Sequence, residues 1–193
     1  MPDKPEATVE RILDGALQIL GRFGSKKLSI VDVADEVGCS RATVYRYFPG
    51  KPELMEALNL HEKRRFEREL RAVATAHQES STELFRNCTS FVLSYAHDRV
   101  ELRGLLEADP SFMIRWLRQT LNSYIALLDE VLKIHDDSEA LAEIVLRLGL
   151  SVYVFPDTDI DRLVDGVCDL FEQSLRGRGL VISLSDPHES AVS

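Results

Sequence analysis

Apolar residues along this chain recur every three to four positions almost from end to end, and the strict alternation of a half-buried strand appears nowhere. Over residues 7–23 they fall at Val9, Ile12, Leu13, Ala16, Leu17, Leu20 and Phe23, one stripe of a 3.6-residue helix that Gly24 stops. Ser29 followed by Asp32 has the form of a capping box, opening a helix of about two turns that closes at Gly38. Ser40 caps a third short helix over residues 41–48, ended by Pro49-Gly50. A fourth begins near Pro52, where a first turn tolerates proline, and runs to about His77. Its middle, HEKRRFERELR, reads as solvated surface.

The later helices are longer and more apolar. Residues 80–96 carry Leu84, Cys88, Phe91, Val92 and Tyr95 at helical spacing, and a short helix over 99–107 ends at Asp109-Pro110. Residues 111–134 place Phe112, Trp116, Leu117, Thr120, Leu121 and Tyr124 together. The helix over 139–155 is apolar on nearly every side and must be covered on every side. After Pro156 a last helix shows Ile160, Leu163, Val164, Val167, Cys168 and Phe171 on one face. Beyond Arg176 the chain turns rich in Gly, Ser and Pro and reads as a disordered tail. The expectation is an all-α protein: a three-helix unit over 1–51, a larger helical body over 52–176, and a tail over 177–193.

Charge divides the chain in the same place. The net charge is −9, but residues 1–51 hold eight Lys/Arg against seven Asp/Glu, while the remainder is strongly acidic. Such asymmetry points to two parts with different partners. The run GCSRATVYRYFPGKPEL carries Arg41, Arg46 and Lys51, and no acid before Glu53. Cys39, Cys88 and Cys168 form no CxxC pair, so neither a zinc site nor a disulfide framework is indicated. His61-Glu62 is followed by Arg65, not by the histidine a zincin needs, and no glycine-rich phosphate loop exists. These absences argue against an enzyme, a metal centre or a cofactor. No segment has the length of a membrane span or the form of a signal peptide, which leads to the expectation of a cytoplasmic protein.

The two short helices around Gly38 have the spacing of a helix-turn-helix, with Ala34 small where the second helix packs over it and Val33, Val37, Val44 and Phe48 as the apolar lock. The second helix of such a pair enters the major groove with its N-terminus leading. Ser40, Arg41 and Thr43 then lie where base edges or near phosphates are within reach, arginine matching guanine and the threonine methyl matching thymine. Tyr45, Arg46, Tyr47 and Lys51 offer hydroxyls and charge to the backbone phosphates.

The stretch LSIVDVADEVGCSRATVYRYFPGKPEL resembles the signature of the TetR family of transcriptional repressors, through Ser29, Val33, Ala34, Gly38, Ser40, Thr43, Tyr45, Phe48 and Lys51. The resemblance covers about residues 8–60; beyond them only the order and lengths of the helices are similar. It implies that Tyr45, Tyr47 and Lys51 contact phosphate, that Arg41, Ala42 and Thr43 occupy the base-reading turn, and that Ser29 belongs to the same surface. Cys39 stands where valine is commoner, and Tyr47 where histidine is commoner.

The resemblance further implies a homodimer and an effector cavity in the helical body. The helix over 139–155 has Leu141, Ile144, Val145, Leu148 and Val152 on one face and Leu146, Leu150, Val154 and Phe155 on the other. One face can serve its own core; the second, with Val167 and Phe171 of the last helix, is the expected dimer surface. For the cavity the candidates are Cys88, Phe91, Tyr95, Phe112, Trp116, Thr120, Tyr124 and Leu148. The resulting expectation is a ligand-responsive repressor that reads a palindromic operator as a dimer and is released by a small, largely apolar effector. An activator of the same fold, and a helical enzyme or adaptor without a DNA target, are the alternatives.

Overall fold

The computed structural model describes residues 5–76, 80–133 and 138–177. Every regular element among them is helical: α1 (Pro5–Phe23), a 3-10 turn (Ser25–Lys27), α2 (Ile30–Glu36), α3 (Arg41–Tyr47), α4 (Lys51–Ala76), α5 (Ser81–Asp98), α6 (Val100–Ala108), α7 (Pro110–Leu132), α8 (Ser138–Val154) and α9 (Ile160–Gly177). The 3-10 turn is the one element the hydrophobic pattern does not announce, because three polar residues carry no periodicity. The expected tail lies outside the described residues from position 178 onward.

Local chemistry sets the boundaries. Ser29 caps α2 by accepting from the Asp32 amide at 3.2 Å, and Ser80 caps α5 by accepting from that of Glu83 at 3.1 Å. Asp109 caps α7, accepting from the Phe112 amide at 3.1 Å, with Pro110 in the first turn, where its missing amide costs nothing. Gly24 (φ 75°) and Gly38 (φ 66°) take the left-handed backbone that ends one helix and redirects the chain toward the next.

Packing forms two cores that share α4 and α7. The first joins α1, α2 and α3 to the start of α4 through Leu54 and Leu58, and extends into α6 and early α7 through Leu102, Leu105, Met113 and Trp116. The second gathers Phe66 and Leu70 of α4 with α5, late α7, α8 and α9. Thus α4 passes from one core into the other. The start of α4 coincides with the boundary drawn at residues 51 and 52, yet the apolar contacts continue across it.

The tightest crossing lies between α1 and α6. A Cβ added to Gly104 would sit 2.5 Å from the carbonyl oxygen of Gly21, and one added to Gly21 would sit 2.6 Å from that of Glu101. The two backbones touch directly. A polar tie reinforces them: Asp109 accepts from the Ser25 amide at 3.2 Å and hydroxyl at 2.6 Å, while the Lys51 ammonium donates to the Ser25 carbonyl. The hydrogen bond from Ser25 holds the Asp109 carboxyl below its ordinary range.

Gly104→Ala should therefore force α1 and α6 apart and cost about 1–3 kcal/mol of stability. Urea unfolding monitored by circular dichroism measures the loss; an unchanged midpoint would contradict the close backbone contact.

Candidate nucleic-acid interface and internal cavity

The short α3 is held by its neighbours and not by its own length. Ser40 accepts from the Thr43 amide at 3.1 Å, and the two hydroxyls lie 2.8 Å apart. The turn before it is closed by the Cys39 amide donating to the Ala34 carbonyl at 3.0 Å. Val44 is fully buried and Phe48 nearly so, anchoring one face of α3 against α1 and α2. Arg41, Ala42, Tyr45 and Arg46 are exposed on the other face. Tyr45 is half exposed although aromatic.

The expected DNA-facing residues divide by their attachments. Ser40 and Thr43 are engaged with one another, which orients both hydroxyls at the leading end of α3. The Arg46 guanidinium lies over the Tyr47 ring, 5.0 Å from its centroid, and its nitrogen is 3.4 Å from the Tyr47 hydroxyl. The contact is a cation–π pair on the exposed face of α3. Lys51 is half buried and directs its ammonium at the Ser25 carbonyl. Ser29 accepts from the Asp32 amide and donates to its carboxylate, so its hydroxyl serves the α2 cap.

Behind this layer, between α4, α5, α7 and α8, lies a cavity of about 70 Å³. Tyr95, Trp116, Thr120 and Tyr124 line it, as do Leu146 and Leu150 of α8 and Tyr153. Phe66 stands against the rings of Tyr95 and Tyr124 edge-on, with centroids 5.1 and 4.9 Å apart. The Trp116 indole donates to the Asn59 side chain, and the Thr120 hydroxyl donates to the Trp116 carbonyl at 2.9 Å. Trp116 is the single tryptophan of the chain.

One wall of the cavity is charged. Glu62, on α4, is only 2% exposed and lines the space. Its partner is Arg99, buried between α5 and α6, whose guanidinium donates to one carboxylate oxygen of Glu62. The other oxygen, Oε1, has no hydrogen-bond partner, nor do the Tyr95 hydroxyl and Arg99 Nε. Burial pushes the Glu62 carboxyl above its ordinary value against the pull of Arg99, and burial likewise raises the Tyr95, Tyr124 and Tyr153 hydroxyls.

Several expectations change here. The middle of α4 is not all solvated surface: Glu62 and Phe66 turn inward, because a long helix crossing two cores must bury one stripe. Of the expected cavity residues, Cys88, Phe91, Phe112 and Leu148 do not line the cavity. Cys88 is buried in the second core, where desolvation pushes its thiol up to about 11. Phe91 lies beside Phe66 with centroids 5.3 Å apart, Leu148 is packed against the second core, and Phe112 against the first.

Of the expected dimer residues, Leu146 and Leu150 face the cavity, and Phe171 is buried, stacked on Phe85 with ring centroids 4.3 Å apart. Val167 is half buried, while Val154 and Phe155 are 57% and 65% exposed. Ile144, assigned inward by the pattern, is exposed, as is Leu170. Glu139, Glu143 and Arg147 form the polar stripe of α8 and put Ile144 on its solvent side, while Phe171 is buried by its packing on Phe85 of α5.

Residues 12–58 match the family model described as bacterial regulatory proteins, tetR family. The HTH-type transcriptional repressor DrrR1 of Streptomyces coeruleorubidus is 40% identical over 55 residues, 28% of this chain and 20% of that protein, so the match spans about a fifth of that relative's length. A TetR-like transcriptional regulator from Rhodococcus sp. RHA1 superposes with a TM-score of 0.65 at 22% identity, covering 91% of this chain and 100% of that one. FadR from Bacillus subtilis, a transcriptional regulator solved in complex with stearoyl-CoA, does so with a TM-score of 0.61 at 16% identity, covering 83% and 96%. At these identities the structural likeness is one of fold. No helix among the described residues is long and apolar enough to cross a membrane.

Arg99→Ala should leave the Glu62 carboxylate buried and unpaired and cost about 3–5 kcal/mol near neutral pH. A buried acid with a raised pKa favours the folded state below its unfolded value and loses that contribution as pH rises through the folded one. The loss should therefore shrink as pH falls from neutrality into the acid range, where Glu62 takes up a proton. Thermal unfolding of both proteins across this range is the measurement.

Proposed function

We propose that the chain is a transcriptional regulator of the tetR family that acts as a homodimeric repressor, with an operator affinity that falls when a small molecule enters the cavity beside α4. The observation that carries the reading is the course of α4. It begins next to α3, at Lys51, and reaches the cavity wall through Glu62 and Phe66. Whatever displaces the cavity wall also displaces the support of the helix-turn-helix.

Arg41, Ala42 and Thr43 are assigned to base edges, and Tyr45, Tyr47, Arg46 and Lys51 to phosphates. The support is the exposure of the α3 face and the absence of any carboxylate from Gly38 to Pro52. The dimer surface is assigned to α8 and α9, where Ile144, Val154, Phe155 and Leu170 leave apolar area in solvent. Two copies of these helices would cover that area and set the recognition helices one DNA turn, about 34–36 Å, apart.

The cavity volume, about 70 Å³, is below the several hundred Å³ usual for a small-molecule site. An effector must widen it, and widening separates α4 from α7, where the Trp116–Asn59 hydrogen bond joins them. Binding would thus favour a state in which α4 is tilted, and DNA affinity would fall by the difference in effector affinity between the two states. Repression, as opposed to activation, follows from the family resemblance; a reporter downstream of the selected operator tests its sign.

Selection from random DNA should yield an inverted repeat with half-sites one turn apart. On that site Arg41→Ala should cost about 1–3 kcal/mol and relax the preference at one position, whereas Arg46→Ala should weaken all sequences alike and lower the salt slope by about one. Fluorescence anisotropy with labelled duplexes distinguishes the two; equal losses of both kinds from Arg41→Ala would remove its base-reading role. Sedimentation should give the mass of two chains for the native protein and of one for Phe155→Glu.

A further inference from the structure

The chemistry of the cavity wall narrows the effector. Most of the surface is hydrocarbon or aromatic ring, with Val92, Leu102, Leu117 and Leu121 among the aliphatic contributors. Against it stands one acid, Glu62, nearly all of whose surface is buried and one of whose oxygens lacks any partner. The guanidinium of Arg99 donates to the other oxygen, keeps its Nε unpartnered, and does not line the cavity. The unpartnered polar groups of the wall residues are therefore a Glu62 carboxylate oxygen, an acceptor, and the Tyr95 hydroxyl, which can donate or accept.

The geometry points to an effector with an apolar body and a hydrogen-bond-donating nitrogen head, an amine in its ammonium form, whose N–H groups meet Glu62 Oε1 and whose positive charge lies beside the rings of Tyr124 and Tyr153, the Tyr95 ring being already taken by Arg99. The inference rests on the cavity's being the effector site. A buried carboxylate oxygen without a partner is costly, and a donated charge-assisted hydrogen bond offsets that cost more fully than a neutral one. Electron-rich ring faces favour a cation in the same place. A carboxylate head would instead meet an acceptor with an acceptor, negative against negative. Burial favours the uncharged Glu62 carboxyl, and a cation beside it opposes this by favouring the ionised form.

The test uses the full chain and three probes with the same apolar chain: octylamine, octanol and octanoate. Trp116, alone of its kind and set in the cavity wall, reports occupancy by its fluorescence. Octylamine should bind at least about tenfold more tightly than octanoate, with octanol between them. Glu62→Gln, which keeps an acceptor for Arg99, should remove the preference for the amine while leaving octanol nearly unchanged. Octanoate binding as tightly as octylamine to the native protein would overturn the inference without any reference to a variant. A preference for the amine that survived Glu62→Gln would remove Glu62 from its role. If none of the three probes altered Trp116 emission or the unfolding temperature, the reading of the cavity as the effector site would itself fall.

Discussion

The contact on which the arrangement rests is backbone against backbone, at Gly21 of α1 and Gly104 of α6. Without side chains between them the two helices approach until carbonyl oxygens would meet any added carbon. The N-terminal helices thereby lose the freedom of a domain on a linker. Ser25, Lys51 and Asp109 fix the same junction with hydrogen bonds, so that the end of α1, the start of α4 and the start of α7 meet at one place. The apolar core then follows this geometry, extending from Val44 under the reading helix to Met113 and Trp116 of α7 without a break.

The second organising element is α4, which belongs to both cores and buries Glu62 near their junction. A buried ion pair is a poor source of net stability, since desolvation of both partners opposes their attraction. Here it links α4 to the joint between α5 and α6 at the rim of a cavity, a position where it can respond to a guest. Tyr95 packs on both sides of this arrangement: its ring receives the Arg99 guanidinium at 5.7 Å from the centroid and the edge of Phe66.

The order of the helices was legible in the sequence because caps and breakers are local: Ser29, Ser40, Ser80 and Asp109 each act on the amide three residues ahead. The turn at Gly38 was legible for the same reason. The cavity was only half legible. Tyr95, Trp116, Thr120 and Tyr124 share a side of their helices that the spacing reveals, but Glu62 lies in a run of charges where burial leaves no mark. Its partner Arg99 is 37 positions away, and no pattern within either helix connects them. In α8 the difficulty was reversed. Apolar residues flank the Glu139, Glu143 and Arg147 stripe on both sides, so Leu146 and Leu150 could not be told from Ile144 and Val154 until the neighbouring helices were in place.

The length of α4 sets a scale for what the cavity can transmit. Eleven residues separate Glu62 from Lys51, about 16 Å of helix, so a tilt of about 5° at the cavity would carry the end beside α3 by about 1.4 Å. In the proposed homodimer the two ends would move together, and the spacing between the two α3 helices would change by up to twice that amount. B-form DNA fixes its groove repeat at about 34 Å and resists stretching, so it cannot follow. A gear with rigid teeth needs only a fraction of a tooth's width to disengage.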